Sequence, residues 1–183
     1  MRFDWLARWW DYLWNVSVED LLMLIAPRKS DRVLDVGGGT GLLASALQPL
    51  VKEIVVLDAS EGMVREAKKK RVKAIRGWAE DLPFPSKTFD VVTCTDAFHH
   101  FHDQNAAVRE IKRVLKRGGR LVMEEINPAS FRGRWIMFFE WFTGYGSTFR
   151  TPARLKELLE RNGFRVALVH PGRWVYHLRA QNL

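Results

Sequence analysis

Short apolar runs rich in β-branched residues alternate along the chain with segments whose apolar positions recur every three or four residues. The runs predict strands at 32–36, 54–58, 72–76, 89–94 and 119–125, and the helical spacing predicts helices near 41–50, 60–70 and 103–117. Such alternation builds a parallel, doubly wound sheet with helices on both faces. Ser60 stands where a helix needs an N-cap, and Lys116-Arg117-Gly118-Gly119 reads as a basic last turn and glycine stop. Thr151-Pro152 opens a further helix that runs to Asn162-Gly163. Apolar runs at 164–169 and 173–179 then flank His170-Pro171-Gly172, which predicts an antiparallel hairpin at the end of an α/β sheet.

The turn after the first strand carries the most chemistry. Val33-Leu34-Asp35-Val36 leads into Gly37-Gly38-Gly39-Thr40-Gly41, where glycines allow a sharp turn and a close approach of backbone to a ligand. The second strand ends on Asp58, whose carboxylate can accept hydrogen bonds from both hydroxyls of a ribose lying across the strand ends. A nucleoside is therefore the expected ligand. Gly39-Thr40-Gly41-Leu42-Leu43-Ala44 also satisfies the G-x-G-x-x-A dinucleotide fingerprint, so a nicotinamide dinucleotide competes at this point. Against it, Asp35 precedes the glycines and would repel a pyrophosphate.

Composition narrows the choice. A chain of 183 residues makes one ordinary domain and leaves no room for a nucleotide domain plus a separate substrate domain. With Cys94 the only cysteine, no intramolecular disulfide forms, and a reducing, cytoplasmic setting is expected. No apolar run nears the roughly 18 residues that span a bilayer, and no segment reads as a signal peptide. Twenty-nine Lys and Arg against 21 Asp and Glu give a net charge of +8, which favours anionic partners such as RNA or a membrane surface. Much of that excess falls at helical spacing between 65 and 76 and between 109 and 120, where solvated helix faces account for it.

Taken together, Asp35-x-Gly37-x-Gly39-x-Gly41, Asp58, Gly77-Trp78-Ala79-Glu80-Asp81-Leu82-Pro83-Phe84, Phe89-Asp90-Val91-Val92, Ala97-Phe98-His99-His100 and Leu115-Lys116-Arg117-Gly118-Gly119 resemble the motifs of class I S-adenosylmethionine-dependent methyltransferases. Within them, the chain looks like the group that includes the ubiquinone/menaquinone C-methyltransferases. The resemblance implies a Rossmann-like, seven-stranded, mostly parallel sheet whose seventh strand inserts antiparallel. It implies S-adenosylmethionine as cofactor, released as S-adenosylhomocysteine. It also implies cofactor contacts at Asp35, Gly37, Gly39, Thr40, Gly41, Asp58, Ala59, Met63, Ala79, Glu80, Asp81 and Thr95. Asp35 would serve the amino-acid end, Asp81 and the Ala79 N–H the adenine, and Met63 would cover the adenine face with its thioether or simply pack in the core. Thr95-Asp96-Ala97-Phe98 replaces the Asn/Asp-Pro-Pro-Tyr/Phe motif of amino-nitrogen methyltransferases, which disfavours such acceptors.

Two aromatic segments bear on the acceptor. Residues 1–26 read as a helical cap carrying Phe3, Trp5, Trp9, Trp10, Tyr12 and Trp14, and Phe3-Asp4, Ala7 and Trp10-Asp11 resemble the family's opening, with Trp10 where tyrosine is usual. Residues 127–150 form an insertion in which Phe131, Trp135, Phe139 and Phe142 fall on one helical stripe. That stripe requires a cover: the protein's own core, a second subunit in a homodimer, a hydrophobic acceptor, or a peripheral membrane position with Arg132 and Arg134 near anionic headgroups. The expected activity is methyl transfer to a small, hydrophobic acceptor, quinone-like or lipid-like. An RNA methyltransferase and a non-catalytic S-adenosylmethionine-binding partner subunit are the alternatives. Asp96, His99, His100 and Tyr145 are the candidate bases for an acceptor that must lose a proton. No metal is expected, since no Cys or acidic residue stands at ligand spacing from the histidine pair.

Overall fold

Seven strands and six helices are seen in the computed structural model, which describes residues 18–144, 146–172 and 174–183. The strands are β1 (Arg32–Val36), β2 (Glu53–Asp58), β3 (Lys73–Arg76), β4 (Phe89–Thr95), β5 (Leu115–Ile126), β6 (Phe164–Pro171) and β7 (Val175–Asn182). The helices are α1 (Val18–Ile25), α2 (Leu42–Leu47), α3 (Glu61–Lys69), α4 (Gln104–Val114), α5 (Phe131–Thr143) and α6 (Pro152–Arg161). The sheet order is β3-β2-β1-β4-β5-β7-β6. β1 to β5 run parallel, and β7 inserts antiparallel between β5 and β6, the arrangement that the hairpin pattern and the resemblance imply. Of the expected cap, residues 18–25 are helical and the aromatic part at 1–17 lies outside the described residues.

Side chains alternate across the sheet as the period of two requires. Leu34 and Val36 join one apolar cluster with Val92, Cys94, Leu121, Met123 and the inner faces of α4 and α6, whereas Val33 joins the other with Val56, Val91, Val122 and residues of α1, α2 and α3. Both faces are thus covered, which is why the central strands read as continuous apolar runs. The order in which strands are added reverses between the parallel neighbours β1 and β4, so the crevice beyond their C-terminal ends is where a ligand belongs.

The helix before β5 is shorter than its sequence suggests. α4 ends at Val114, and Lys116-Arg117-Gly118-Gly119 belongs to an irregular start of β5 rather than to a helical last turn. Buried Leu115 pairs with Phe89, and the left-handed Gly118 (φ 76°) accommodates a register shift before Arg120 pairs with Val91. The carbonyls at this helix end are met by a side chain from the far end of the chain: Asn182 Nδ2 donates to the Lys112, Leu115 and Lys116 oxygens. Elsewhere the caps follow the pattern, with Ser60 accepting from Met63 N and Thr151 from Arg154 N. No helix among the described residues is long and apolar enough to cross a membrane.

Candidate active site

At the end of β1 the backbone of Gly37, Gly39 and Gly41 is left-handed, with φ of 70°, 54° and 74°. The reason for glycine differs between them. A Cβ on Gly37 would come within 2.4 Å of Ala97 Cβ, across the crevice on the β4 side, so this glycine lets the two halves of the site meet. A Cβ on Gly39 would meet only Met63 Sδ at 3.9 Å, leaving open backbone for a ligand. Asp58 holds this loop in place: its Oδ2 accepts from Gly39 N at 2.9 Å and its Oδ1 from Ser60 N at 2.8 Å. The carboxylate thereby orders both the glycine turn and the start of α3.

Asp35 is fully buried beneath the loop. Burial raises its pKa to about 6, with Thr93 Oγ1 donating to Oδ1 at 2.7 Å as a partial offset and the charge of Asp58 adding to the rise. Its Oδ2 is buried with no hydrogen-bond partner and lies directly under Gly38, where a Cβ would come within 2.4 Å of it. Met63 is buried yet belongs to neither apolar cluster, and its Sδ is the one atom near a Cβ placed on Gly39. Ala79 is buried, Asp81 is exposed, and the Ala59 carbonyl accepts from Arg76 Nε. Glu80 Oε1 accepts from His102 N and Asp103 N, so this residue staples the 78–82 loop to the start of α4. Thr40 is buried with its carbonyl bonded to Lys70 Nζ, and Thr95 pairs with Glu124 in the sheet.

The other half of the crevice gathers acids and imidazoles. His99 is 2% exposed; its Nδ1 donates to Glu125 Oε2 at 2.8 Å, its Nε2 lies 3.9 Å from Glu140 Oε1, and its ring stacks on Phe149. Burial alone would push this imidazole down, but Glu125, Asp96 and Glu140 outweigh it and raise its pKa to about 9. His99 is thus clamped between Glu125 of β5 and Glu140 of α5, surroundings that favour its charged form. His100 is neutral, pushed down to about 2 by burial and by the charge of His99, with its Nδ1 on Ser147 Oγ at 2.9 Å. Asp96 sits in left-handed backbone (φ 50°) at the end of β4, and its Oδ1 is buried without a hydrogen-bond partner. Burial raises its pKa to about 8; His99 opposes the rise and the carboxylates of Glu125, Glu124 and Glu140 add to it. Tyr145 lies outside the described residues.

Sequence spacing did not point to Glu125 and Glu140. The pair Glu124-Glu125 inside an apolar strand was the available signal, because an acid there must find a buried partner. Glu124 finds His177 of β7, at 2.5 Å, and Glu125 takes both His99 and the Phe98 N–H. Glu140 comes from α5, far along the chain, and places one carboxylate oxygen within 4.8 Å of a ring nitrogen of each of His99 and His100. The histidine pair thus has an acidic neighbour that spacing could not reveal. A cavity of about 720 Å³ opens beside this cluster, lined by Arg134, Met137, Phe138, Glu140, Trp141, Ser147 and Phe149 among others. Gln104 fastens its rear wall, with Nε2 donating to the Phe98 and Thr148 carbonyls and Oε1 accepting from Arg150 Nε.

The glycine turn, the acid on β2 and the inserted antiparallel β7 define a class: this is a class I S-adenosylmethionine-dependent methyltransferase fold. Within that class, the chain belongs to the ubiquinone/menaquinone C-methyltransferase-like group. Residues 34–123 match a family described as a methyltransferase domain. The chain is 35% identical over 183 aligned positions to the demethylmenaquinone methyltransferase of Thermotoga maritima, covering 86% of this chain and 79% of the relative. It is 44% identical over 115 positions to the uncharacterized methyltransferase YcgJ of Bacillus subtilis, covering 57% of this chain and 46% of that one, so it spans about half the length of that relative. The fold recurs in the methyltransferase solved in complex with the Trm112 methyltransferase activator of Haloferax volcanii, with a TM-score of 0.80, 20% identity, and coverage of 98% of this chain and 97% of that one.

Proposed function

We propose that this chain transfers the methyl group of S-adenosylmethionine to a small hydrophobic acceptor, quinone-like or lipid-like, that occupies the cavity behind α5. The observation that carries this reading is the cavity itself. Its lining is mainly aromatic and thioether side chains, with Arg134, Glu140 and Ser147 as the polar groups, the balance expected for an apolar ring bearing a few oxygens. The residues of the first half fit the cofactor: an orphaned buried oxygen on Asp35, open backbone over Gly39, and a carboxylate at the end of β2 on Asp58. Asp35 would hold the amino-acid end, Asp58 the ribose, and Met63, Ala79 and Asp81 the adenine. When bound, the cofactor supplies an electrophilic methyl on a sulfonium.

The protein's own work is then alignment, exclusion of water and handling of one proton. Asp96 is the group for that proton. A carboxylate whose pKa is about 8 is poised near neutrality, and its partnerless Oδ1 can accept from an acceptor hydroxyl. His99 is already charged and enclosed, and His100 is held neutral, so both serve to position Asp96, Glu140 and the loop at 146–149.

The demethylmenaquinone methyltransferase relative supports a quinone-like acceptor. A second reading, a partner subunit that binds S-adenosylmethionine, draws on the exposed aromatics of α5 and on the fold it shares with the methyltransferase found in the activator complex. Incubation with methyl-labelled S-adenosylmethionine and a detergent extract of cells, followed by partition into organic, RNA and aqueous fractions, tests the proposal. Label in the organic phase is the expected result. Label in RNA or the aqueous phase would overturn it, and cofactor binding without any label would favour the partner-subunit reading.

A further inference from the structure

Six of the large hydrophobic side chains exposed on the molecule lie on the single helix α5: Phe131, Trp135, Phe138, Phe139, Trp141 and Phe142, each between 55% and 80% exposed. Of the covers open to that stripe, the protein's own core is not the one it takes among the described residues. The helix instead rests on the body through Gly133, Ile136, Met137 and Glu140. At aromatic side-chain sizes, the exposed patch is on the order of 800 Å², beyond what a soluble monomer ordinarily leaves in water.

Charge selects the occupant. α5 contains three charged residues, Arg132, Arg134 and Glu140. Glu140, the only acid, is turned inward toward His99 with its side chain 12% exposed, whereas both arginines are exposed at the start of the helix. The outward surface is therefore aromatic and cationic, on a chain whose net charge is +8. Thirteen residues make a helix about 20 Å long, too short to cross a hydrocarbon core of about 30 Å but suited to lying along its boundary. The same helix forms the front wall of the cavity through Arg134, Met137, Phe138, Glu140 and Trp141.

We propose that α5 docks on an anionic lipid bilayer, its aromatic face at the headgroup boundary and Arg132 and Arg134 among the phosphates, so that a lipophilic acceptor passes from the membrane into the cavity without crossing water. The inference rests on the lipophilic-acceptor reading, yet the two fail separately. Vesicle binding needs neither acceptor nor turnover, and the label partition uses detergent extract and no bilayer.

The test is co-sedimentation of the full chain, saturated with S-adenosylhomocysteine, with phosphatidylcholine vesicles and with vesicles containing phosphatidylglycerol. Light scattering on the same sample gives the oligomeric state. Binding to the anionic vesicles is expected to exceed binding to neutral ones by about tenfold and to weaken with salt. Trp135→Glu combined with Phe139→Glu, both exposed and outside the cavity lining, should remove it while leaving the melting temperature and S-adenosylhomocysteine affinity unchanged. Absence of binding to anionic vesicles by the folded, cofactor-loaded chain overturns the proposal. So does a dimer that the same double substitution dissociates, which would assign the patch to a second copy.

Discussion

The two halves of the strand-end crevice are ordered by opposite means. On the proposed cofactor side the determinants are mainly backbone: three left-handed glycines and the N–H groups of Gly39 and Ser60, held by Asp58, with Asp35 buried beneath as the one acid whose pKa is raised. On the acceptor side they are side chains that titrate, with His99 between Glu125 and Glu140, Asp96 beside them, and Glu124 on His177. A site built mainly from backbone geometry has little left to titrate above about pH 6, where Asp35 is ionised. A site built from coupled acids and imidazoles can be retuned by a single substitution or a change in pH.

Substitutions should separate the halves. Asp96→Asn is expected to have the largest effect, lowering turnover by about 10²–10⁴-fold with S-adenosylhomocysteine affinity unchanged, read by label transfer and calorimetry. In the unsubstituted chain the rate should rise with pH through about 8, as Asp96 ionises, and the variant should lose that limb. Next in size, Gly37→Ala forces a Cβ to within 2.4 Å of Ala97 Cβ in left-handed backbone, and should cost about 3 kcal/mol in thermal or urea unfolding. Gly39→Ala, with space around it, should cost about 1 kcal/mol and act mainly on cofactor affinity. Asp58→Ala removes the acceptor for two N–H groups and should weaken S-adenosylhomocysteine by about 30–100-fold.

A pH dependence of stability probes the same contrast without any substitution. Asp35, Asp96 and His99 all have raised pKa values, so each binds more protons folded than unfolded between its ordinary and its raised value, and stability falls as pH rises through that window. The loss from Asp35 is complete by about pH 6, whereas those from Asp96 and His99 continue to about 8 and about 9. Above pH 6.5 His100 is neutral in both states and contributes nothing. Melting temperatures should therefore decline between pH 6.5 and 9, and the decline should shrink in Asp96→Asn. A flat profile in the unsubstituted chain would contradict the clamped His99.

The cofactor half was legible in the sequence because it is local. Asp35, the glycines and Asp58 occupy consecutive elements, and the strand periodicity places them at adjacent strand ends. Ser60 and Thr151 were readable as caps for the same reason. The acceptor half depends on partners brought together by the fold: Glu125 from β5, Glu140 from α5, and Ser147 and Phe149 from the loop beyond. Nothing in the spacing of His99-His100 announces them. The end of α4 was misread because a basic turn followed by two glycines suits a helix stop, while the actual stop depends on Leu115 pairing with Phe89 and on Asn182 reaching back to the helix carbonyls. Periodicity found the aromatic stripe of α5 but not its direction, since a helix apolar on every side has no inward face that its sequence can declare.

Gln104 ties the rear of the cavity to the 3-10 turn at Phe98 and to the loop at Thr148, and Tyr176 Oη donates to the Arg150 carbonyl, so that wall belongs to the rigid frame. The front wall hangs like a door between the Ser130 cap and the left-handed Gly144 and Gly146, the latter with open space where a side chain would be. On the proposed reading, any shift of α5 that admits a wider acceptor carries Glu140 with it and is felt at His99 and Asp96.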